Sequence, residues 1–301
     1  MTFAKTTTLI IALCTLVTGC FYYMEYAESK ASQLKKAMGI THNVYSNFLM
    51  MRRSEKDFFT DFDITQIDDH AYYANCIDQE IQNISALKVR TVESAKLLPE
   101  IENALKKYVE SFAQLVKLQT SLGINPNHGD YGKLRQAAHQ IEHFLSQNHQ
   151  ESQLNHLLNL RRIEKDFMLY PSEDKLAEFE TLFKAFDEIN IHINYAFEQL
   201  SSYIEAKKAY YSHFQDFSQK TLKMGLSDTT GLFGALSQQA DHLEQLIEVL
   251  VGSFVKLSNT TENKVRQEAK ILSFVFPILV FLLAFLPFLS LLSQRSKEPI
   301  V

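Results

Sequence analysis

The heptapeptide Arg52-Arg53-Ser54-Glu55-Lys56-Asp57-Phe58 recurs as Arg161-Arg162-Ile163-Glu164-Lys165-Asp166-Phe167, an offset of 109 residues with six of seven positions identical. A second signal follows each copy. Tyr131-Gly132-Lys133-Leu134, with Ala138, Ile141 and Glu142, returns as Phe233-Gly234-Ala235-Leu236, with Ala240, Leu243 and Glu244, at an offset of 102. Two signals repeated in the same order mean a duplicated unit of roughly 100 residues. The copies run over about 45–150 and 154–260 of the 301 residues. Whatever this chain folds into, it builds one structural unit twice.

Each unit reads as helix. Val44, Phe48, Met51, Glu55 and Phe58 fall at spacings of four, three, four and three, the stripe of a helix that buries one face. The shift of 109 places Gln153, Leu157, Leu160, Glu164 and Phe167 on the same face of the second copy. Nine Gly and six Pro are about 5% of the chain, where average usage gives roughly 12%. An all-β sandwich or barrel needs far more turn chemistry. Pro99 is expected just before a helix start. Residues 123–129 and 225–234 read as loops, Pro171-Ser172-Glu173-Asp174 opens a helix, and Ala235 to Lys270 is one long helix. The fold class is all-α, and helices of that length belong to elongated bundles.

The ends of the chain are apolar. Ile271 to Ser293 is 23 residues without a charge, enough to span a bilayer core. Pro277 and Pro287 are tolerated in such a helix. Thr8 to Tyr26 reads as a first span with Tyr22, Tyr23 and Tyr26 at the interface. A signal peptide is the alternative, and Val17-Thr18-Gly19-Cys20 also has the form of a bacterial lipobox. The expected organisation is a span within 1–26, an extracytoplasmic region over 27–270, a span over 271–293 and a tail over 294–301.

Other chemistry is scarce. The net charge of −5 leaves no footprint for nucleic acid. Cys14, Cys20 and Cys76 build neither a disulfide framework nor a cysteine metal site; Cys76 reads as a small apolar core residue. His139-Gln140-Ile141-Glu142-His143 has the inverted zinc-protease spacing. Its repeat partner, Asp241-His242-Leu243-Glu244-Gln245, does not keep the ligands, so no metal is expected there. No cofactor or catalytic residue is expected, and the protein is read as non-enzymatic.

The repeated heptapeptide carries the functional interest. Glu55 and Glu164 fall on the buried stripe, where a carboxylate without a cationic partner is costly. Arg52 and Arg161 stand three residues earlier on nearly the same face, and Arg53 can pair with Asp57 at i, i+4. Two readings stay open. In one, Glu55, Glu164, Asp57 and Asp166 form an ion network that fixes helix register and joins the two units. In the other, some of these arginines face a pocket and clamp a ligand carboxylate. Both can hold together.

Two apolar ends, a helical region between them and the duplicated Arg-Arg-x-Glu-Lys-Asp-Phe resemble the helical bimodular sensor domain of bacterial chemoreceptors and sensor histidine kinases. The resemblance covers about residues 25–270. It implies two stacked four-helix bundles in the periplasm, anchored in the inner membrane by two helices, that bind a small organic acid for signal transduction or chemotaxis. It also implies dimerisation, as a homodimer or with a full-length receptor. Carried over by motif, the ligand arginines are Arg52, Arg53, Arg161 and Arg162. The Gly motif of such domains often continues to an arginine, here Arg135 in the first copy but Ser237 in the second, which departs from a dicarboxylate site. Such receptors continue into a cytoplasmic signalling module, and none is legible after Ser293, so a sensor read by a partner is expected. The competing class is a structural membrane protein whose bundle binds another protein.

Overall fold

The scarcity of Gly and Pro leaves few places where a helix must stop, and the computed structural model, which describes residues 3–89, 92–189 and 197–295, is helical almost throughout. Among the described residues there are eight helices: α1 (Phe3–Asp61), α2 (Thr65–Ala86), α3 (Val92–Leu122), α4 (Gly129–Gln147), α5 (Glu151–Leu169), α6 (Glu173–Glu188), α7 (Phe197–Met224) and α8 (Gly231–Arg295). The all-α class is therefore established. The tail expected over 294–301 lies outside the described residues from 296 onward.

Local chemistry explains most helix ends. Asp63 accepts from the Thr65 backbone N–H at 3.0 Å, and Ser172 accepts from that of Lys175 at 3.2 Å, each satisfying an orphan donor of a first turn. The sequence expectation fails at two boundaries. Pro99 does not precede α3 but lies inside it. The buried Leu97, Leu98 and Ile101 hold that part of the helix on the core, which outweighs the single backbone bond a proline removes. The second loop is also shorter than expected, because α8 starts at Gly231, not after Gly234.

The two loops show the duplication in three dimensions. Gly123 and Gly225 have φ of 123° and 101°, conformations that a side chain resists. Gly132 and Gly234 are required for a different reason. A Cβ there would lie 2.6 Å from the carbonyl carbon of Asn127 or 2.5 Å from that of Thr229, because each loop lies against the first turn of the next helix. All these glycines recur at the offset of 102.

The chain divides into two compact units. The first comprises Met1–Met50, Tyr73–Glu102 and Gln245–Val301. Its core takes Leu34, Ala37 and Val44 from α1, Ile77, Ile81 and Ile84 from α2, and Ile247, Leu250 and Phe254 from α8, all buried. Asn43 donates to Glu80 at 3.2 Å across α1 and α2. Tyr23 on α1 hydrogen-bonds Glu268 on α8. In this unit α1 is long and apolar enough to cross a membrane, and its apolar stretch is largely exposed.

The second unit comprises Met51–Tyr72 and Asn103–Glu244. Helices α4, α5, α6 and α7 bury one continuous cluster that includes Leu134, Ile141, Leu160, Phe167, Phe179 and Phe214. In the same unit the ends of α1 and α3 and the starts of α2 and α8 pack together through the ring contacts Phe58–Phe112, His70–Phe112 and Phe59–Phe233. The alternation of buried and exposed positions over 51–59 is identical to that over 160–168.

Gly234→Ala and Gly132→Ala should each lower the unfolding free energy read by chemical denaturation by about 1–3 kcal/mol, because loop backbone must move to admit the methyl group. Gly252, within α8, has nothing within 4 Å of a Cβ. Gly252→Ala should instead stabilise by about 1 kcal/mol through helix propensity.

Candidate functional site

Arg52 Nη1 donates to both oxygens of Glu55, at 2.7 and 2.9 Å. Arg161 Nη1 does the same to Glu164, at 3.0 and 3.1 Å. The i, i+3 spacing within one helix brings each pair together. A third residue completes each group. The Tyr108 hydroxyl, on α3, donates to Glu55, and the Tyr210 hydroxyl, on α7, donates to Glu164 at 2.7 Å. Both tyrosines and both carboxylates are buried. The structure thus contains the same Arg–Glu–Tyr group twice.

Burial sets the electrostatics. Desolvation pushes the Glu55 and Glu164 carboxyls above the usual range, against the pull of Arg52 and Arg161 and of the tyrosine hydrogen bonds. Desolvation and the adjacent carboxylate push Tyr108 and Tyr210 well up. Each hydroxyl is thereby kept protonated, as a donor. Each network closes between the two helices of one copy, α1 with α3 and α5 with α7. It does not join the two copies, which corrects one sequence expectation. Asp57 lies outside it, paired at 3.4 Å with Arg53, whose side chain is 71% exposed. Arg162 is exposed and Asp166 half-buried on α5.

Sequence reasoning missed both tyrosines. Their signal was present: Lys106, Tyr108 and Phe112 recur as Lys208, Tyr210 and Phe214 at the offset of 102. The phenylalanines complete the pattern. Phe112 packs edge-on against Phe58 at 5.9 Å, and Phe214 against Phe167 at 5.5 Å.

One position breaks the symmetry chemically. Phe179 stacks on Phe214 at 3.7 Å and tilts against Tyr210 at 5.8 Å. Its counterpart at the offset of 109 is His70, which stacks on Phe112 at 4.0 Å and tilts against Tyr108 at 5.5 Å. His70 is buried and its Nε2 has no hydrogen-bond partner. Desolvation, helped by the charge of Arg52, lowers its pKa to about 4.

Two cavities adjoin candidate ligand residues. Arg52, Glu55, Lys56, Thr60, Asp228 and Ser237 line one of about 290 Å³. Arg52 donates to Glu55 through Nη1, and its guanidinium carbon lies 6.0 Å from the centre of the Tyr108 ring. Arg135 lines a wider groove of about 610 Å³ beside His139 and His143, and donates to the Asn127 side chain at 3.3 Å. Among the described residues no group of three His, Cys, Asp or Glu could hold a metal.

Glu55→Gln and Glu164→Gln should each cost about 3–5 kcal/mol, because each leaves a half-buried arginine unpaired. Arg53→Ala should change the unfolding free energy by less than about 0.5 kcal/mol. Guanidinium denaturation of the four proteins measures both. His70→Phe gives a pH test. The folded-state pKa of His70 is depressed, so the unfolded chain takes up its proton first, and stability falls as pH drops from about 6.5 towards 4. Glu55 acts in the opposite sense, since its raised pKa costs stability as pH rises above the ordinary carboxylate value. His70→Phe removes only the histidine contribution. Its melting temperature should exceed that of the parent by more near pH 5 than near pH 8. Against known proteins, no family model matches the chain and no curated protein matches it in sequence.

Proposed function

We propose that this protein is a membrane-anchored sensor whose helical extracytoplasmic region binds a small organic anion and passes the binding event through its membrane helices. The observation that carries this reading is the cavity beside Arg52 and Lys56, whose lining also holds the Ser237 hydroxyl and the Asp228 carboxylate. A guanidinium and an ammonium one helical step apart suit a carboxylate, and the fork of Arg52 adds geometric selectivity. The resemblance of the repeated motif to helical bimodular sensors points the same way, towards two stacked four-helix bundles in a periplasm.

Two membrane helices fit the exposed surface. Leu16, Phe21, Tyr22 and Met24 on α1, and Ile271, Phe274, Ile278 and Phe281 on α8, stand open. Side chains of this kind in unbroken runs suit lipid. In this reading Tyr22, Tyr23 and Tyr26 sit at the interfacial belt. A two-pass bacterial inner-membrane topology follows. A ligand can shift the two helices only by its differential affinity for two states, and in this reading a dimer or a partner receptor reads that shift.

A second reading, a scaffold whose bundle binds another protein, is favoured by the Arg–Glu–Tyr groups, each of which satisfies its own buried charges. Neither of the two cavities beside a candidate arginine is lined by a second one, so the site beside Arg52 offers one guanidinium and one ammonium.

Thermal unfolding of the full chain in nanodiscs, with acetate, succinate and citrate as probes, separates the readings. Binding to the folded state alone stabilises by about 2.7 kcal/mol at one hundred times Kd. At least one of the three acids should raise the midpoint, and Lys56→Gln should reduce that rise without altering the ligand-free midpoint. No shift with any of them would leave the scaffold as the better account.

A further inference from the structure

The second unit contains an apolar cavity of about 350 Å³ that the anion site does not use. Its lining carries the duplication. Phe59 and its repeat counterpart Met168 both face it, as do Tyr131 and Phe233. So do Leu122 with Met224, and Gly123 with Gly225 of the two loops. Gln119 and Thr221 make a fifth such pair. Copies related by a simple shift along the chain axis would present equivalent residues to different places. Only a rotation brings both members of every pair to one void, as in an isologous contact. The lining is therefore two-fold in composition, with five pairs of repeat-equivalent residues converging on one void.

The chemistry of the walls selects a ligand class. The rings of Phe59 and Phe233 meet edge-on at 4.8 Å, and Tyr131 lies 6.4 Å from Phe217. These four rings are only half-buried, and Phe62 is exposed at the rim. Interiors normally pack without voids larger than a water molecule, whereas ligand sites have volumes of about 300–1,000 Å³ and aromatic walls with few polar groups. No charged side chain lines this one. Of its polar side chains, Gln119 Nε2 donates to the Gly123 carbonyl at 3.2 Å and Thr221 Oγ1 to that of Phe217 at 2.9 Å, and Tyr131 adds a hydroxyl to the lining. The Gln119 amide oxygen and the Thr221 hydroxyl oxygen therefore remain to accept.

We propose that this two-fold cavity is a binding site for a neutral aromatic molecule of about two fused rings that carries one N–H or O–H donor. Rings and methionine sulfurs suit an aromatic face, and the uncharged lining disfavours an ion. Because both copies line the site, its occupant touches both at once. The site is independent of the anion-sensing reading, although Phe59 and Phe233 also line the cavity beside Arg52.

Indole is the probe, with the full chain in nanodiscs. The chain has seven methionines and no tryptophan. Carbon-13 methyl labelling of methionine resolves the site, and this chain adds no tryptophan emission to that of indole. Ring-current shifts at the Met168 and Met224 methyls should saturate together, with Met38, Met50 and Met51 unmoved, alongside a saturable blue shift of the indole emission. Leu122→Phe, which fills part of the void and keeps both reporters, should weaken binding by about tenfold or more. Circular dichroism checks that this variant is folded; if it is not, Thr221→Leu serves in its place. Indole-3-carboxylate should bind at least about tenfold more weakly than indole, since it would bury an unpaired charge. Lys56→Gln, which belongs to the anion site, should leave indole binding unchanged. The proposal is overturned if the two methyls do not saturate, if the filled variant binds indole equally well, or if the carboxylate binds as tightly.

Discussion

A carboxylate buried on a helix stripe is costly in isolation, and this protein carries two of them, Glu55 and Glu164. Each is made tolerable by an arginine one turn earlier and a tyrosine from another helix. The arginine constrains only its own helix, because i, i+3 neighbours meet in any helix. The tyrosine fixes how a second helix lies against the first. Slide α3 by one residue along α1 and the Tyr108 hydroxyl no longer reaches Glu55. A half-satisfied network is worse than an apolar core, so a shifted register costs far more than a few apolar contacts. The network acts as a register pin, set once in each copy.

Around that pin the two copies diverge where the packing lets them. His70 takes the place of Phe179 in the same ring stack, with similar geometry and an orphaned nitrogen. Buried Leu105 is replaced in the second copy by Lys207, which reaches Asp187 at 2.7 Å and lies over the rings of Phe186 and Tyr203. Asp130 is buried and ion-paired with Lys220, and the residues at the corresponding repeat positions, Leu232 and Leu118, are apolar. A charge pair replaces a leucine pair at matched positions. The loops tolerate no such freedom, because Gly132 and Gly234 each stand where a methyl group would meet backbone.

The copies differ most around the buried groups. The cavity beside Arg52 is lined by both signs of charge, Arg52 and Lys56 with Glu55 and Asp228. The equivalent positions around Arg161 are joined, in the sequence repeat, by Arg135 where the first site has Ser237, and by Pro126 where it has Asp228. The two copies thus offer different charge to any ligand, despite matching cores.

The sequence alone determined the helical class, the duplication, and the pairing of Arg52 with Glu55 and Arg161 with Glu164. All of these rest on spacing along one helix, and helical periodicity is written in the residue order. It also determined the loops at Gly123 and Gly225, since few residues other than glycine accept those backbone angles. It misplaced the start of α3, because Pro99 is a local signal and the burial of Leu97 and Leu98 is not. Tertiary structure alone decided which side chain completes each buried carboxylate, for Tyr108 lies 53 residues from Glu55 and Tyr210 lies 46 from Glu164. It decided that each network stays within one copy, and that five pairs of repeat residues meet around one void. Contacts between helices depend on how the helices are laid together, and residue spacing along a single helix carries no record of that.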